Sequence, residues 1–312
     1  MNSVPYVTVA VTAYNAEKTI CNCLDSILSQ SFQNFIVVIV DDGSTDHTID
    51  IVHQYSDPRL HLLQNKHGGV SAARNAAVDA STGEYISFVD SDDIIAFDYL
   101  TVLVDTARAN NADLVLSDFT SISLHTDRVE NTLDKSVQKL SCRQCLEMYF
   151  ALDKRTNQLP STKLIRRSLY QGVRYPEGRI FEDSSTLYKI IGNASSIVYI
   201  HYSGYGYTSN PNGIMRSQSA KAIHDKVQIF PEMMDYVVQK HPDVLKSATA
   251  YFYSGMYSCY LSCIQNKILQ ENELQEIRLH VRKVRRDLGL KQLMQRIIIL
   301  YSCYKLGKRQ MQ

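Results

Sequence analysis

The stretch that most constrains the fold is Tyr85–Ile95, which reads Y-I-S-F-V-D-S-D-D-I-I. Its first five residues have the apolar, branched pattern of a buried strand. Three carboxylates, Asp90, Asp92 and Asp93, then follow within four residues. Like charges this close repel one another, and burying them without a counter-charge is costly. The stretch therefore predicts a strand whose carboxyl end needs a positive partner.

Two explanations of these carboxylates remain open on the stretch alone. Asp90 and Asp92 could hold Mg²⁺ or Mn²⁺, because these hard cations bind one or two carboxylates together with substrate phosphates. Alternatively, Asp92 or Asp93 could be the N-cap of a helix that begins near Ile94. The first explanation predicts a metal–diphosphate site, and the second predicts only an acidic helix start.

Strands and helices alternate through the first 118 residues. Val4–Val11 is a nearly continuous apolar run and Phe35–Val40 a second, as in strands buried on both faces of a sheet. Further strands are predicted over 60–64 and 113–117, and helices over 16–30, 46–55, 70–79 and 97–110. This alternation predicts a Rossmann-like α/β fold with a mostly parallel sheet flanked by helices.

Polar residues lie at three of the predicted strand ends. Tyr14 and Asn15 follow the first strand, Asp41–Asp42 follows the second, and Asp90-Ser91-Asp92 follows the strand that begins at Tyr85. Ligands of open α/β sheets bind outside the carboxyl ends of the strands. A separate capping role would be needed at each end, so the coincidence favours one ligand site.

The second part of the chain has weaker patterns. Residues 119–140 are polar and read as a loop or a weak hairpin. Helices are predicted over 141–152 and 182–191, and a strand over 197–202. Residues 203–213 contain three glycines and one proline, which predicts a mobile loop over a site. From residue 221 onward the pattern is helical throughout.

Six motifs in order along the chain resemble family 2 glycosyltransferases with the GT-A fold. They read VAVTAYN (9–15), LDSILSQSF (24–32), VDDGSTD (40–46), GGVSAARN (68–75), GEYISFVDSDD (83–93) and FED (181–183). The resemblance is strongest to bacterial enzymes that build capsule, exopolysaccharide and lipid-linked glycans. It is specific over 1–120 and weaker to 216, which implies a nucleotide-sugar-binding and catalytic domain over 1–216 and a helical C-terminal region over 217–312.

The resemblance implies which residues bind a UDP-sugar. Thr12, Tyr14 and Asp42 match residues around the uracil ring, where a carboxylate can accept the N3–H that cytosine lacks. Asn15 and Asp41 belong to the same two turns, and Asp41 could equally cap the turn that follows it.

The same resemblance extends to the phosphates and the metal. Arg74 matches a basic residue near the base and phosphate, although a solvated helix face would also explain it. Asp90, Ser91 and Asp92 match the D-x-D motif, in which Asp90 and Asp92 would bind Mn²⁺ or Mg²⁺ beside the diphosphate.

Asp183 matches the catalytic base of the family. An acceptor hydroxyl is a poor nucleophile until a carboxylate takes its proton, and a metal neutralises the leaving diphosphate. Attack on the face opposite the leaving group inverts the anomeric centre. Glu182 is the rival carboxylate, and a helix start attracts acids without any catalytic role.

The implied reaction moves one hexose of the Gal, Glc or GlcNAc type to a hydroxyl of a lipid-linked or oligosaccharide acceptor. The chain has no Trp, so it lacks the Q-x-x-R-W signature of processive family members. The alternative is a non-catalytic helper subunit of the same fold, which would be expected to lose Asp183, Asp90 and Asp92. Dehydrogenases, P-loop NTPases and nucleotidyltransferases are disfavoured because no Gly-rich phosphate loop is present.

Positive charge is concentrated at the C-terminus. Residues 277–312 carry ten Lys/Arg and one acid, a charge of +9, so a net charge of +1 leaves −8 on the rest. Apolar residues from Leu274 onward are spaced by three and four, as on an amphipathic helix with a basic face. The pattern predicts contact with an anionic membrane surface, and packing on the transferase body is the alternative. Nucleic acid is not expected, because no aromatic stacking platform accompanies the charges.

The compartment follows from the same features. No signal peptide or membrane-spanning run is evident. The seven cysteines are an odd number and lie in segments that read as helix, which favours reduced thiols over disulfides. We therefore expect a cytoplasmic protein, peripheral at the inner face of the cell membrane. The sequence leaves an oligomer open.

Overall fold

A nine-stranded sheet with helices on both faces makes up the part of the chain that the structure describes. This computed structural model describes residues 4–123, 126, 128–129, 133–151, 159–209, 220–266, 275 and 279. The strands are β1 (Val7–Ala13), β2 (Phe35–Asp41), β3 (Leu60–Gln64), β4 (Tyr85–Asp90), β5 (Ile94–Ile95), β6 (Leu114–Ile122), β7 (Leu133–Leu140), β8 (Lys163–Arg166) and β9 (Ile197–Thr208). The α-helices are α1 (Ile20–Leu28), α2 (Thr48–Val52), α3 (Val70–Ala80), α4 (Tyr99–Asn110), α5 (Cys142–Tyr149), α6 (Glu182–Asn193), α7 (Ala220–Lys240) and α8 (Leu245–Asn266).

The order of the strands brings the predicted site residues to one edge. The order is β3-β2-β1-β4-β8-β6-β9-β5, and β7 also pairs with β9. Neighbours from β3 to β4 are parallel, β8 is antiparallel to both its neighbours, and β6 is parallel to β9. The register sets Thr12 beside Asp90 and Ala13 beside Asp41. The ends of β1, β2 and β4 therefore meet, and the predicted α/β fold is confirmed.

The strands are apolar because helices cover both faces of the sheet. Val7, Val9 and Val11 of β1 share a buried cluster with α1 and α4, whereas Ala10 shares the opposite cluster with α3. Alternate side chains of a strand point to opposite faces, so each β1 residue packs in one of the two buried layers between the sheet and its helices.

The C-terminal helices belong to the second of these layers. Val237 of α7 and Phe252 of α8 lie in the same buried cluster as Ala10 of the sheet. The helical character predicted from residue 221 extends through α8. The domain boundary at residue 216 stays a prediction.

The alternative in which a helix begins near Ile94 is wrong, whereas the helix predicted over 97–110 matches α4 to within two residues. Ile94 and Ile95 form a short strand that pairs with Tyr205 and Gly206 of β9, and α4 begins only at Tyr99. The two branched, buried side chains favour extended backbone over a helix start.

Asp93 is consequently not a helix cap. Its carboxylate is buried and accepts hydrogen bonds from the Tyr205 hydroxyl at 2.6 Å and the Thr208 amide at 2.7 Å. The same hydroxyl accepts the Asp90 amide at 3.2 Å. Asp93 therefore fixes β9 against the turn that carries the D-x-D motif.

The mobile loop predicted over 203–213 is wrong for residues 203–208, which continue β9. Gly206 is needed there because a Cβ would lie 2.9 Å from the Ile122 side chain and 3.1 Å from the Ile94 carbonyl oxygen. The glycines that suggested a loop instead permit close strand packing. Residues 210–213 lie outside the described residues.

The other predicted element boundaries differ less from those in the structure. The polar stretch 119–140 contains the end of β6 and all of β7. Several predicted helices are shorter, since α1 begins at Ile20 and α2 spans five residues. The basic C-terminal segment lies outside the described residues apart from Gln275 and Leu279. Across the described part of the chain, none of the helices combines the length and the apolar character that a membrane crossing requires.

We expect Asp93→Ala to lower the free energy of unfolding by about 2–4 kcal/mol, because it leaves the buried O–H donor of Tyr205 and the N–H donor of Thr208 without an acceptor. Asp105→Ala, a change to an exposed carboxylate of α4, should alter it by less than about 0.5 kcal/mol. Urea denaturation measures both. Equal effects of the two substitutions would contradict the anchoring role of Asp93.

Candidate active site

Asn15 and Asp41 hold together the two turns that follow β1 and β2. The Asn15 amide donates to the Ser44 hydroxyl at 2.9 Å, and the Asn15 side-chain oxygen accepts the Thr45 amide at 2.8 Å. One carboxylate oxygen of Asp41 accepts the Gly43 and Ser44 amides, both at 3.1 Å. The expectation that Asp41 caps its own turn therefore has direct contacts behind it.

The second carboxylate oxygen of Asp41 is not used by the turn. Its Oδ1 is buried and has no hydrogen bond among the described residues. A buried acceptor left unpaired is costly, so Oδ1 favours a donor from a ligand or water at this edge.

The Asp42 carboxylate fixes the turn between β3 and α3. Its two oxygens accept the Gly68 and Gly69 amides, both at 2.8 Å, and Nδ1 of His67 lies 2.9 Å from Oδ2. The half-exposed ring of Tyr14 stacks on His67 with centroids 4.4 Å apart. These residues form a flat aromatic surface beside a carboxylate.

His67 was missed by the sequence analysis. The signal was available, because His67 directly precedes the Gly68-Gly69 break and follows the carboxyl end of a predicted strand. That placement puts it at the same edge as Tyr14 and Asp42.

Asp90 and Asp92 form the most acidic part of this edge. Burial, with a smaller contribution from the Asp90 charge, raises the pKa of Asp92 to about 6. Ser91 lies between them and is half-buried. A cation here would relieve the desolvation and the repulsion together.

The donor set fits a divalent cation shared with phosphate. Among the described residues no group of three or more His, Cys, Asp or Glu side chains could enclose a metal. Asp90 and Asp92 would therefore supply two oxygen ligands and leave the rest to phosphate and water, as Mg²⁺ and Mn²⁺ sites often do.

Arg74 joins this edge to the start of α6. Its buried guanidinium donates to Glu182 through one terminal nitrogen and to Asp90 through the other, the latter at 3.2 Å. Arg74 also lies 5.6 Å from the ring centroid of Tyr175. The alternative that Arg74 occupies a solvated helix face is wrong. Its predicted contact with the nucleotide stays a prediction.

Glu182 and Asp183 occupy the first turn of α6, and both are buried. Burial raises the pKa of each carboxyl, and the Arg74 charge offsets part of this effect. Glu182 is engaged by Arg74, whereas the described hydrogen bond of Asp183 is with the Ser184 amide at 2.6 Å. Asp183 is therefore the carboxylate less committed to an ion pair.

The sheet, the strand-end turns and the paired carboxylates define a nucleotide-binding α/β enzyme of the GT-A class. The sequence profile described as Glycosyl transferase family 2 matches residues 8–174. That match covers more than half of the 312 residues, and the chain belongs to glycosyl transferase family 2.

Known proteins support this assignment. Glycosyltransferase GlyG of Streptococcus pneumoniae is 30% identical over 76% of this chain and 82% of its own length. Chondroitin synthase of Escherichia coli is 35% identical over 43% of this chain and 19% of its own length.

Solved structures agree with the fold. The crystal structure of S. aureus TarS 1–349 superposes with a TM-score of 0.61 and 26% identity, covering 80% of this chain and 72% of that one. Its complex with UDP gives a TM-score of 0.56 and 26% identity, covering 73% and 65%.

We expect Arg74→Gln to lower the free energy of unfolding by about 3–5 kcal/mol, because it leaves Glu182 and Asp90 without their buried cation. Arg174→Gln removes an exposed partner of Asp79 and should cost less than about 1 kcal/mol. Urea denaturation at neutral pH compares them. A wild-type stability of Arg74→Gln would show that the buried pair is dispensable.

Proposed function

We propose that this protein is an inverting, metal-dependent transferase. It moves one hexose of the Gal, Glc or GlcNAc type from a UDP-sugar to a hydroxyl of a lipid-linked glycan in bacterial surface polysaccharide synthesis. The observation that carries the proposal is the double contact of Arg74 with Asp90 and Glu182. One guanidinium contacts both Asp90 and Glu182, so it links the D-x-D motif to the helix turn that carries the candidate base Asp183.

The donor is held at the ends of β1 and β2. Tyr14 offers a half-exposed ring on which a uracil can stack, and Thr12 lies at the same end of β1. Oδ1 of Asp42 accepts one amide, and a carboxylate oxygen has room for a second donor such as uracil N3–H. The likeness to TarS, whose structure was solved with UDP, supports a uridine nucleotide.

Mn²⁺ or Mg²⁺ would be held by Asp90 and Asp92, and when bound it supplies charge neutralisation for the leaving diphosphate. Arg74 holds Asp90 in place from the protein side, and Asn15 and Asp41 keep the neighbouring turns in position. These contacts are made within the protein, so the fold itself orients the carboxylates toward the cation and the diphosphate.

Asp183 takes the proton of the acceptor hydroxyl while the hydroxyl oxygen attacks the anomeric carbon. Its buried position suits this role, because desolvation raises the pKa of the carboxyl and makes the carboxylate a stronger base. The attacking oxygen and the leaving diphosphate lie on opposite faces of the sugar, and the configuration inverts.

The proposed acceptor is a lipid-linked glycan, and the proposed location is the membrane surface. The polysaccharide role follows from the names of relatives such as chondroitin synthase. The basic segment 277–312 would hold the enzyme at the cytoplasmic face of the membrane, where a lipid-linked acceptor is presented. That segment lies outside the described residues, so membrane contact and the peripheral location stay predictions.

We expect UDP-sugars with Mn²⁺ to protect the protein against thermal unfolding, because a ligand that binds only the folded state stabilises it. UDP-Glc, UDP-Gal, UDP-GlcNAc and GDP-Man form the panel. Asp92→Asn should abolish Mn²⁺-dependent binding of UDP in calorimetry, whereas the exposed Asp105→Asn should not. Unchanged affinity in Asp92→Asn would remove Asp92 from the site.

We expect Asp183→Asn to keep UDP-sugar binding near wild type and to lower turnover by about 10²–10⁴-fold, the usual contribution of a general base. The wild-type rate should fall as the pH drops through the raised pKa of Asp183, so its acid limb lies above the ordinary Asp value of about 4. Turnover is followed as UDP release. A larger loss in Glu182→Gln would identify Glu182 as the base instead.

A further inference from the structure

The turn that leads into α6 is held by α7, a helix of the C-terminal region. We call residues 178–181 the pre-α6 turn. Arg179 pairs with Glu232 through two hydrogen bonds of 2.8 Å, and the Ile180 amide donates to Asp225 at 2.8 Å. These contacts reach the turn from two points along α7, so the turn is fixed along its length.

The backbone of the turn needs such support. Phe181 has φ 63° and ψ 43°, the left-handed region that bulky residues avoid. Phe181 also stands at the N-cap position of α6, where it provides no side-chain hydrogen bond. Nothing in its own side chain therefore caps the helix turn that carries Glu182 and Asp183.

The side chain of Phe181 is buried against α7 instead. It forms a cluster with Ala222 and Ile229, and the Lys226 ammonium lies 4.2 Å from its ring centroid. Residues 222, 226 and 229 share one face of α7 because they are spaced by four and three. That face stabilises the strained residue by packing.

Asp225 is the polar centre of the same contact. Its carboxylate is buried, with 5% of the residue exposed, and Oδ2 accepts both the Ile180 amide and the Lys221 ammonium, the latter at 3.0 Å. Lys221 also donates to the Gly178 carbonyl at 2.5 Å. Asp225 and Lys221 thus close a ring of hydrogen bonds around the pre-α6 turn.

We propose that Asp225 is a positioning residue for the transfer reaction, which it serves by holding the pre-α6 turn so that Asp183 faces the acceptor hydroxyl. The proposal rests on the proposed function, because it needs Asp183 as the base. Asp225 holds the amide of Ile180, the residue directly before the strained Phe181, and so controls the direction in which α6 starts. A small shift of that start moves the Asp183 carboxylate away from the acceptor without touching the donor site on β1, β2 and β4.

The test compares kcat for UDP release, the donor dissociation constant and hydrogen exchange in the full-length chain. The probe is the UDP-sugar that gives the largest thermal shift, with Mn²⁺ present. The variants are Asp225→Ala, Asp225→Asn, Asp225→Ser, Asp183→Asn and the double variant Asp225→Ala/Asp183→Asn. Asp243→Ala, an exposed carboxylate beyond the end of α7, is the matched control.

We expect Asp225→Ala to lower kcat by about 10- to 100-fold, which is the loss of rate that a small misplacement of a catalytic group causes. Its donor dissociation constant should stay within about twofold, and exchange should speed up only over 178–186. Asp225→Asn should recover most of the rate, because its amide oxygen still accepts the Ile180 amide. The double variant should be no slower than Asp183→Asn alone, since both changes act on one step.

A wild-type kcat in Asp225→Ala would overturn the proposal. So would a result in which Asp225→Ala and Asp225→Asn each lose donor binding as much as they lose rate. If Asp225→Ala does not fold, Asp225→Ser takes its place, because its shorter side chain cannot keep the 2.8 Å contact with the Ile180 amide. A wild-type kcat in that variant is then equally decisive against the proposal. A wild-type rate in Asp183→Asn would instead refute the base in the proposed function. That outcome is read from a different variant, so the two failures are distinguishable.

Discussion

The site depends on one buried guanidinium among many carboxylates. Arg74 contacts Asp90 on the sheet and Glu182 on α6, and its charge lowers the cost of burying both. Asp92 and Asp183 have no ion pair among the described residues, and burial raises the pKa of each. The protein therefore neutralises one carboxylate of each pair. Under the proposed function, Asp92 is left to bind a cation and Asp183 to take a proton.

Much of the fold and the site could be predicted because short-range patterns determine them. Apolar runs and parallel strands place Tyr14, Asp41 and Asp90 at one edge, and β3 was predicted with the bounds that it has. The same reasoning failed after Asp93, where the local sequence suits a helix start. Pairing with β9, more than a hundred residues away, decides the conformation of Ile94 and Ile95 instead.

Contacts across the chain could not be predicted from the sequence. Arg74 and Glu182 are 108 residues apart, and neither lies in a pattern that refers to the other. Asp225 reads as one more charge on an amphipathic helix, yet it is buried against the turn that starts α6. Gly206 of β9 was misread for the same reason, since Ile94 of β5 and Ile122 of β6 lie where its side chain would be.

The link from Asp90 through Tyr205 to Asp93 has a consequence for the order of assembly. Strands β1 to β4 are complete by residue 90, but the hydroxyl that accepts the Asp90 amide belongs to Tyr205, 115 residues later. Contacts so distant in sequence form late in folding because a long loop must close first. On the ribosome, the N-terminal half therefore emerges before the Tyr205 hydroxyl can accept the Asp90 amide. The turn that carries Asp90 is complete only after β9 has been synthesised and paired with β6.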